Sequence, residues 1–251
     1  MKIKRALKVW QRNFKVYTKL YRSSFALNFF DPLIYLIALG FGLGGYVREI
    51  EGVPYIKFIA SGIIATSAIF AAIYECTYGT YVRMNFQKTF EGILATPINI
   101  KELTLGEILW GSTKSLIYGF TIIIVIFLFG LVDSPSVLLA LPFVFLSGFL
   151  FSQLSIIIVT IIPGIESFNY FYTLVITPLF LFSGVFFPLK GLPEFIEIIA
   201  FFNPFYHSVN ICRGFALGNA FFLWKDALWL FLVSVLIFPL PFKLMRKKII
   251  P

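Results

Sequence analysis

The chain has 251 residues, of which 59% are hydrophobic and only 13% are charged, with a net charge of +9 and a mean hydropathy of +0.90. A soluble domain carries roughly a quarter charged residues, so the composition excludes an ordinary soluble protein and predicts a single membrane domain over residues 1–251. The basic balance favours membrane topology over a nucleic-acid partner, because positive residues collect in cytoplasmic loops.

The first 23 residues are predicted to form a basic amphipathic helix. Six apolar residues recur at spacings of three and four and therefore share one face; they are Ile3, Leu7, Trp10, Phe14, Tyr17 and Tyr21. The lysines and arginines fall largely off that stripe. Such a helix tends to lie in the membrane interface beside anionic lipid headgroups. A coiled coil is the alternative, although about three heptads with uniformly positive polar positions argue against it.

Six apolar stretches follow, and they predict an all-α polytopic protein with six transmembrane helices. They cover about residues 25–47, 55–82, 103–131, 137–162, 168–188 and 222–243. Residues 189–219, before the last span, hold two apolar segments that Asn203-Pro204 separates. Each segment is too short to cross a bilayer. They predict an outer re-entrant helical hairpin, with an ordinary extracellular loop as the alternative.

The positive charges predict the orientation. Of the 21 lysines and arginines, 15 lie in residues 2–22, 83–101 and 243–248, all on one side of the predicted spans. Five lie on the other side, and Lys114 lies inside a span. The positive-inside bias therefore places both termini in the cytoplasm and the chain in the cytoplasmic membrane.

Residues 84–96 are predicted to form a short amphipathic helix on the cytoplasmic side. Phe86, Phe90, Ile93 and Leu94 have i, i+4, i+7, i+8 spacing, and Pro97 ends the pattern. Such a helix either packs along the membrane or contacts a soluble partner, and the pattern alone does not decide between the two.

Three ionisable residues lie within predicted spans. A charge at the bilayer centre costs about 2.5–3.5 kcal/mol on insertion scales, so such groups usually face the protein interior and pair. Glu75, Glu107 and Lys114 all fall in the cytoplasmic half of their spans. We predict that Lys114 pairs with Glu75 or Glu107 and locks two spans together, in preference to direct contact with a substrate.

The sequence offers no catalytic or metal site. Residues 106–115 superficially resemble a phosphate-binding loop, but Ser112 stands where that loop requires Lys after its second Gly. No ATP site is therefore expected in this chain. A single histidine and two isolated cysteines form neither a metal-ligand cluster nor a nucleophile–base pair.

The fifth span and its exit are rich in aromatic residues. The simplest interpretation is lipid-facing bulk and interfacial anchoring. The alternative is a stacking surface for sugars or a large amphipathic substrate. The candidate residues for such a substrate path are Tyr170, Tyr172, Phe182, Phe186 and Phe187.

Three stretches of the chain, together with the order of its elements, resemble the ABC-2 type transporter permeases. The first is YECTYGTYVRM at residues 74–84. The second is TFEGILATP at residues 89–97, continuing through LGEILW at 105–110 to Lys114. The third is FSGVFFPL at residues 182–189, followed by NPFYH at 203–207 and Arg213-Gly214. The similarity is closer to the NodJ-like branch, which exports lipo-oligosaccharides.

This resemblance implies a function and a set of partners. It implies a homodimer or pseudo-dimer of permeases, most simply two copies of this chain, together with two separate ATP-binding subunits. Those subunits would hold the ATP and Mg, so no cofactor is expected in this chain. It also implies that the cytoplasmic helix docks into those subunits; the residues concerned are Arg83, Met84, Phe86, Lys88, Thr89, Phe90, Glu91, Ile93 and Leu94.

The direction of transport and the cargo rest on the same resemblance. It implies export of a lipid-linked oligosaccharide or polysaccharide, with an amphipathic drug or lipid as the alternative cargo. The rival class is a membrane-embedded enzyme or an ion-coupled transporter. Titratable residues are scarce in the outer half of the predicted spans, and this scarcity argues against a proton relay.

Overall fold

The computed structural model describes residues 2–132, 135–189, 191–218 and 223–250, and for residues 20–29 and 31 it describes the backbone alone. Almost all of the described chain is helical. The helices are α1 (Ile3–Ile37), α2 (Tyr55–Tyr74), α3 (Thr89–Leu94), α4 (Ile100–Leu128), α5 (Leu141–Ile161), α6 (Phe168–Phe171), α7 (Thr177–Leu181), α8 (Glu194–Phe201), α9 (Pro204–Ala216), α10 (Leu223–Ile237) and α11 (Pro239–Ile249). Strands β1 (Glu49–Ile50) and β2 (Val53–Pro54) form an antiparallel hairpin in which Ile50 lies opposite Val53.

Within the described residues, four helical stretches are long and apolar enough to cross a membrane, and they indicate an integral membrane protein. They are Tyr55–Phe86, Ile100–Leu128, Pro135–Ile161 and Leu223–Ile249, which correspond to the predicted second, third, fourth and sixth spans. The first predicted span appears as a shorter apolar helical stretch, Pro32–Gly45. The fifth appears as α6 and α7 joined by a π-helical turn at Tyr172–Ile176.

Three predicted boundaries differ from the structure. No break separates the N-terminal amphipathic helix from the first span, because α1 is continuous from Ile3 to Ile37 and passes through Pro32. The fifth span stops being helical at Leu181 rather than 188, shortly before Gly184 adopts a φ of 79°. The helix predicted at 84–96 is divided by Lys88, whose φ of 54° lies in the left-handed region that ends a right-handed helix.

Two short helices stand where the re-entrant hairpin was predicted. Asn203 ends the first and caps the second, since its side-chain oxygen accepts a hydrogen bond from the Phe205 amide at 3.0 Å. The Asn203 amide nitrogen also donates to the Leu179 carbonyl at 2.6 Å, so the junction between these two helices is held against the end of α7. Lys190 and Asn219, near the predicted limits of the segment, lie outside the described residues.

Helix α2 lies at the centre of the bundle, and Tyr55–Tyr74 is buried along almost its whole length. The helical stretch continues through two π-helical turns to Phe86, and below α2 refers to this whole stretch, Tyr55–Phe86. Beside it, α4 and α5 approach closely through small residues. A Cβ on Gly111 would overlap the hydroxyl of Ser152 and the thiol of Cys76, and one on Gly148 would overlap Ser115. Small residues that let helix backbones approach are the usual solution in membrane bundles, where dispersion contacts replace the hydrophobic effect.

The bundle has two distinct ends. At one, which we call the basic end, the N-terminal half of α1, α3 and α11 pack around Phe90 and Met245. At the other, which we call the hairpin end, the β-hairpin and α9 pack against the start of α2. The two ends carry the two sites described below.

Candidate functional site

Four charged side chains form a buried network between α2 and α4. Lys114 Nζ lies 2.6 Å from Glu75 Oε2, and Arg83 Nη1 lies 2.6 Å from Glu75 Oε1. The same guanidinium contacts Glu107 through Nη2 at 2.5 Å. We call these four residues the ionic cluster; its two positive and two negative groups balance. Lys114 thus contacts Glu75, one of the two partners proposed from the sequence.

The local backbone makes room for the cluster. Beyond Tyr74 the helix widens into two π-helical turns, Glu75–Gly79 and Val82–Phe86, a distortion that occurs frequently at functional sites. Gly79 faces the pair formed by Glu75 and Arg83, where a Cβ would lie 3.0 Å from the Glu75 carboxylate and 3.2 Å from Arg83. A larger residue at this position would therefore crowd the ion pair.

Helix α1 completes the network from a third side. Asn13 is buried, and its Nδ2 donates to Glu107 Oε1 at 2.7 Å. Thr80 donates to the other oxygen of Glu107 at 3.1 Å, so all four carboxylate oxygens of the cluster have a partner. Such full satisfaction is what a buried ion pair requires if it is not to be strongly destabilising.

The apolar stripe of the sequence packs against the protein only in part. Ala6 and Val9, which lie off the stripe, are buried against α4 together with Asn13, whereas Ile3 and Leu7 remain 64% and 41% exposed. From the stripe itself, Trp10 Nε1 donates to the Thr113 hydroxyl at 2.8 Å, and the rings of Phe14 and Tyr17 contact Trp110 on α4. The stripe stays open at its outer edge, as a surface that faces lipid would.

The predicted docking residues separate into buried and exposed sets. Phe86 is 65% exposed, and the ion pair that joins Lys88 to Glu91 at 3.0 Å is also open to solvent. Phe90 is only 2% exposed, so it anchors the segment instead of projecting from it. We call Phe86, Lys88 and Glu91 the exposed tip.

The remaining docking residues attach this segment to the bundle. Ile93, Leu94 and Met84 pack against the core of the basic end. Thr89 accepts a hydrogen bond of 3.5 Å from Arg12 on α1. A force on the exposed tip would therefore reach α1, α2 and α4 through short contacts.

Next to the ionic cluster lies an aromatic cavity of about 480 Å³ between α1, α2 and the predicted fifth span. Three tyrosines stack along one wall: the Tyr172 ring centroid lies 5.0 Å from that of Tyr74 and 5.7 Å from that of Tyr78. The hydroxyl of Ser67, also in the lining, is buried and has no hydrogen-bond partner among the residues that the structure describes. The cavity thus combines stacking faces with a free polar group.

The structure brings together only part of the predicted substrate path. Tyr172 and Phe186 line the aromatic cavity. Tyr170, Phe182 and Phe187 do not line it and are 70%, 40% and 38% exposed. Sequence reasoning expected the first, second and fifth spans to line the path but named candidate residues only from the fifth span and its exit. It therefore did not name Tyr74 and Tyr78, whose four-residue spacing on one helix face was the available signal.

A second cavity, of about 350 Å³, lies beside the ionic cluster. Its lining includes three cluster residues, Glu75, Arg83 and Lys114, and also Tyr78, which borders the aromatic cavity as well. Tyr78 therefore borders both a charged cavity and an aromatic one. Among the described residues, no group of three or more side chains has the arrangement of a metal site.

Comparison with known proteins agrees with this architecture. The family model described as ABC-2 type transporter matches residues 6–217. The chain belongs to the ABC-2 type transporter family. Several relatives of this chain are named Nodulation protein J. That of Rhizobium meliloti (strain 1021) is 39% identical over 211 residues, which are 84% of this chain and 80% of the relative.

Two further relatives of this ABC-2 permease show the breadth of the similarity. Nodulation protein J of Sinorhizobium fredii is 36% identical over 205 residues, covering 82% of this chain and 78% of the relative. The inner membrane transport permease YadH of Escherichia coli (strain K12) is 25% identical over 211 residues, covering 84% and 80%. The NodJ-like resemblance seen in the sequence is thereby confirmed.

The ABC-2 permease also contains contacts that sequence reasoning did not find. Arg83 was assigned to the docking segment alone, although it lies at the centre of the ionic cluster. Asn13 received no role. The available signal for Arg83 was the small and polar face formed by Gly79 and Thr80 one turn away. No such signal marks Asn13, because its neighbours one turn away are valines and aromatic residues.

Proposed function

We propose that this permease is the transmembrane subunit of an ATP-driven exporter that moves a lipid-linked oligosaccharide or polysaccharide across the cytoplasmic membrane. ATP would be hydrolysed by two separate subunits at the basic end. A second copy of the permease would complete the transport path.

The observation that carries this proposal is the position of Arg83. It lies three residues before Phe86 of the exposed tip and contacts Glu75 on α2 and Glu107 on α4. The cavity beside it shares Tyr78 with the aromatic cavity. A layer of side chains that includes Arg83 and Tyr78 therefore lies between the surface that a soluble subunit would push and the cavity that a cargo would enter.

In the proposed mechanism, this layer of side chains transmits movement from the exposed tip to the aromatic cavity. When the ATP-binding subunits close, they would displace the exposed tip, and the anchor Phe90 would transmit the movement to the core of the basic end. Arg83 would move with α2 relative to Glu107 on α4. Tyr74 and Tyr78 would shift with the same helix and open the aromatic cavity toward the second permease.

The proposal includes six membrane crossings with both termini in the cytoplasm. The first and fifth crossings would use the apolar stretch Pro32–Gly45, extended along α1, and the α6–α7 segment. Helices α8 and α9 would form the outer re-entrant hairpin. The concentration of positive charge at the basic end supports this orientation.

An amphipathic drug or lipid is the alternative cargo, because stacked tyrosines bind apolar rings as readily as sugar faces. Stimulation of ATP hydrolysis separates the two. In the reconstituted complex, a lipid-linked oligosaccharide should raise the ATPase rate, and an amphipathic drug of equal hydrophobicity should not. The opposite pattern would assign the cargo to the drug class.

Docking at the exposed tip is tested by co-purification with the ATP-binding subunit. Phe86→Asp should abolish co-purification while leaving the melting temperature of the permease unchanged, because this side chain is 65% exposed. Phe202→Asp is the matched control, since Phe202 is 68% exposed but lies in the α8–α9 hairpin. Retention of the complex by Phe86→Asp would refute the docking surface. Phe90→Asp is unsuitable, because it would disrupt the core.

A further inference from the structure

A third cavity, of about 350 Å³, lies at the hairpin end, remote from the tyrosine stack. One wall is a face of α9, where Tyr206, Asn210 and Arg213 follow each other at i, i+4 and i+7. Glu51 in the β-hairpin turn and Asp226 at the start of α10 lie in the remaining lining. The volume is within the range of pockets that bind small molecules.

Arg213 is positioned by neutral groups only. Its Nη2 donates to the Gly184 carbonyl at 2.8 Å, its Nε donates to the Ser61 hydroxyl at 3.3 Å, and its guanidinium stacks 3.7 Å above the Phe58 ring. No described carboxylate lies within ion-pair distance of it, and its Nη1 has no hydrogen-bond partner in the structure. The arrangement holds the guanidinium rigidly and leaves donor capacity at the cavity.

Asp226 is fixed in a complementary way. Its Oδ1 lies 2.6 Å from Nδ1 of the buried His207, whose Nε2 lies 2.7 Å from the Phe201 carbonyl. Trp229 stacks on the imidazole with a centroid distance of 4.2 Å. Asp226 Oδ2 has no partner among the described residues. An oriented acceptor thus stands in the same lining as the donor of Arg213.

The chemistry of the lining selects the ligand class. Arg213 can only donate, Asp226 and Glu51 as carboxylates can only accept, and the amide of Asn210 does both. Asn210 has no hydrogen-bond partner within the described part of the chain. A phosphate would satisfy Arg213 but would be repelled by the two carboxylates. A ring bearing several hydroxyl groups donates and accepts at once and satisfies all of them.

We propose that this cavity is a saccharide site on the outer side of the permease, which receives the sugar portion of the cargo as it leaves. The assignment of an outer side rests on the proposed function. The structural basis for the site itself is the juxtaposition of the rigid donor Arg213, the oriented acceptor Asp226 and the unpartnered amide of Asn210 around one cavity.

The test is calorimetric titration of the full-length permease in lipid nanodiscs with maltotetraose, chitotetraose and inorganic phosphate. At least one tetrasaccharide should bind saturably, and phosphate should not. Asn210→Ala should weaken saccharide binding at least threefold without lowering the melting temperature, because that amide bonds to no described group. Addition of Tyr206→Phe should bring the loss to about tenfold. Glu194→Gln, on the exposed face of α8, is the control and should bind as the wild type does.

Three results would overturn the inference: no saturable saccharide binding, equal affinity in Asn210→Ala and the wild type, or binding of phosphate in place of the sugars. These outcomes are distinguishable from failure of the proposed function. A complex that assembles and exports while the cavity binds no saccharide removes only this inference. Failure of the permease to associate with an ATP-binding subunit removes the proposed function, whatever this cavity binds.

Discussion

Replacement of Glu75 should destabilise the permease more than replacement of its partner Lys114. In Glu75→Gln, the Lys114 ammonium, whose side chain is 11% exposed, loses its only described carboxylate within 4 Å. Breaking a buried pair by removing one partner costs about 3–5 kcal/mol, because it leaves an uncompensated charge. In Lys114→Met, Glu75 keeps its contact with Arg83 at 2.6 Å, and methionine fills most of the vacated volume. We therefore expect about 1.5–3 kcal/mol, the size of one lost hydrogen bond to a charged group.

The double variant Glu75→Gln with Lys114→Met adds a sharper test. It removes both the carboxylate and the stranded ammonium, so it should be more stable than Glu75→Gln alone. The two substitutions should therefore depart from additivity by about 1–3 kcal/mol, in the range measured for residues in direct contact. Thermal unfolding of the three variants in nanodiscs, followed by intrinsic fluorescence, measures the order.

Two results would refute this reasoning. If Lys114→Met destabilised the permease as much as Glu75→Gln, the ammonium rather than the carboxylate would be the central group of the network. If the double variant were simply additive, the two side chains would not interact in the folded protein. Glu91→Gln, at an exposed pair with Lys88, is the control, and it should change stability by less than about 1 kcal/mol.

Three further predictions address packing and accessibility. Gly148→Ala should lower the free energy of unfolding by about 1–3 kcal/mol through overpacking against α4, whereas Gly92→Ala, which meets nothing within 4 Å, should leave thermal stability unchanged or raised. Neither Cys76 nor Cys212 should react with maleimide until the protein is denatured, because both are buried; rapid labelling of the native protein would contradict the packing. His207→Phe should increase protease cleavage between α8 and α10, because the hydrogen bonds of the imidazole to Asp226 and to the Phe201 carbonyl are lost. Cleavage at the wild-type rate would show that these two hydrogen bonds do not hold the region together.

Much of the fold could be predicted because hydropathy and charge are local properties. A run of apolar residues predicts a membrane helix wherever its neighbours lie, so the second, third, fourth and sixth spans were recognised within a few residues. Asn203-Pro204 predicted the junction between α8 and α9 for an equally local reason, since proline begins a helix readily and cannot continue one. Local rules did not predict that α1 would be continuous or that Lys88 would adopt a left-handed backbone conformation.

The sites were predicted less completely, because a site depends on which helix faces meet. The sequence alone determined that Glu75 and Lys114 need partners, since an unpaired charge in a membrane span is costly. It also determined the family, because short sequence motifs can be recognised without knowing how the helices pack. Only the tertiary structure decided that Arg83 joins Glu75 to Glu107, that Phe90 turns inward, and that Tyr172 stacks between two tyrosines of α2. The rotation and crossing of neighbouring helices set these contacts, and they arise from close packing over the whole bundle, which no single segment encodes.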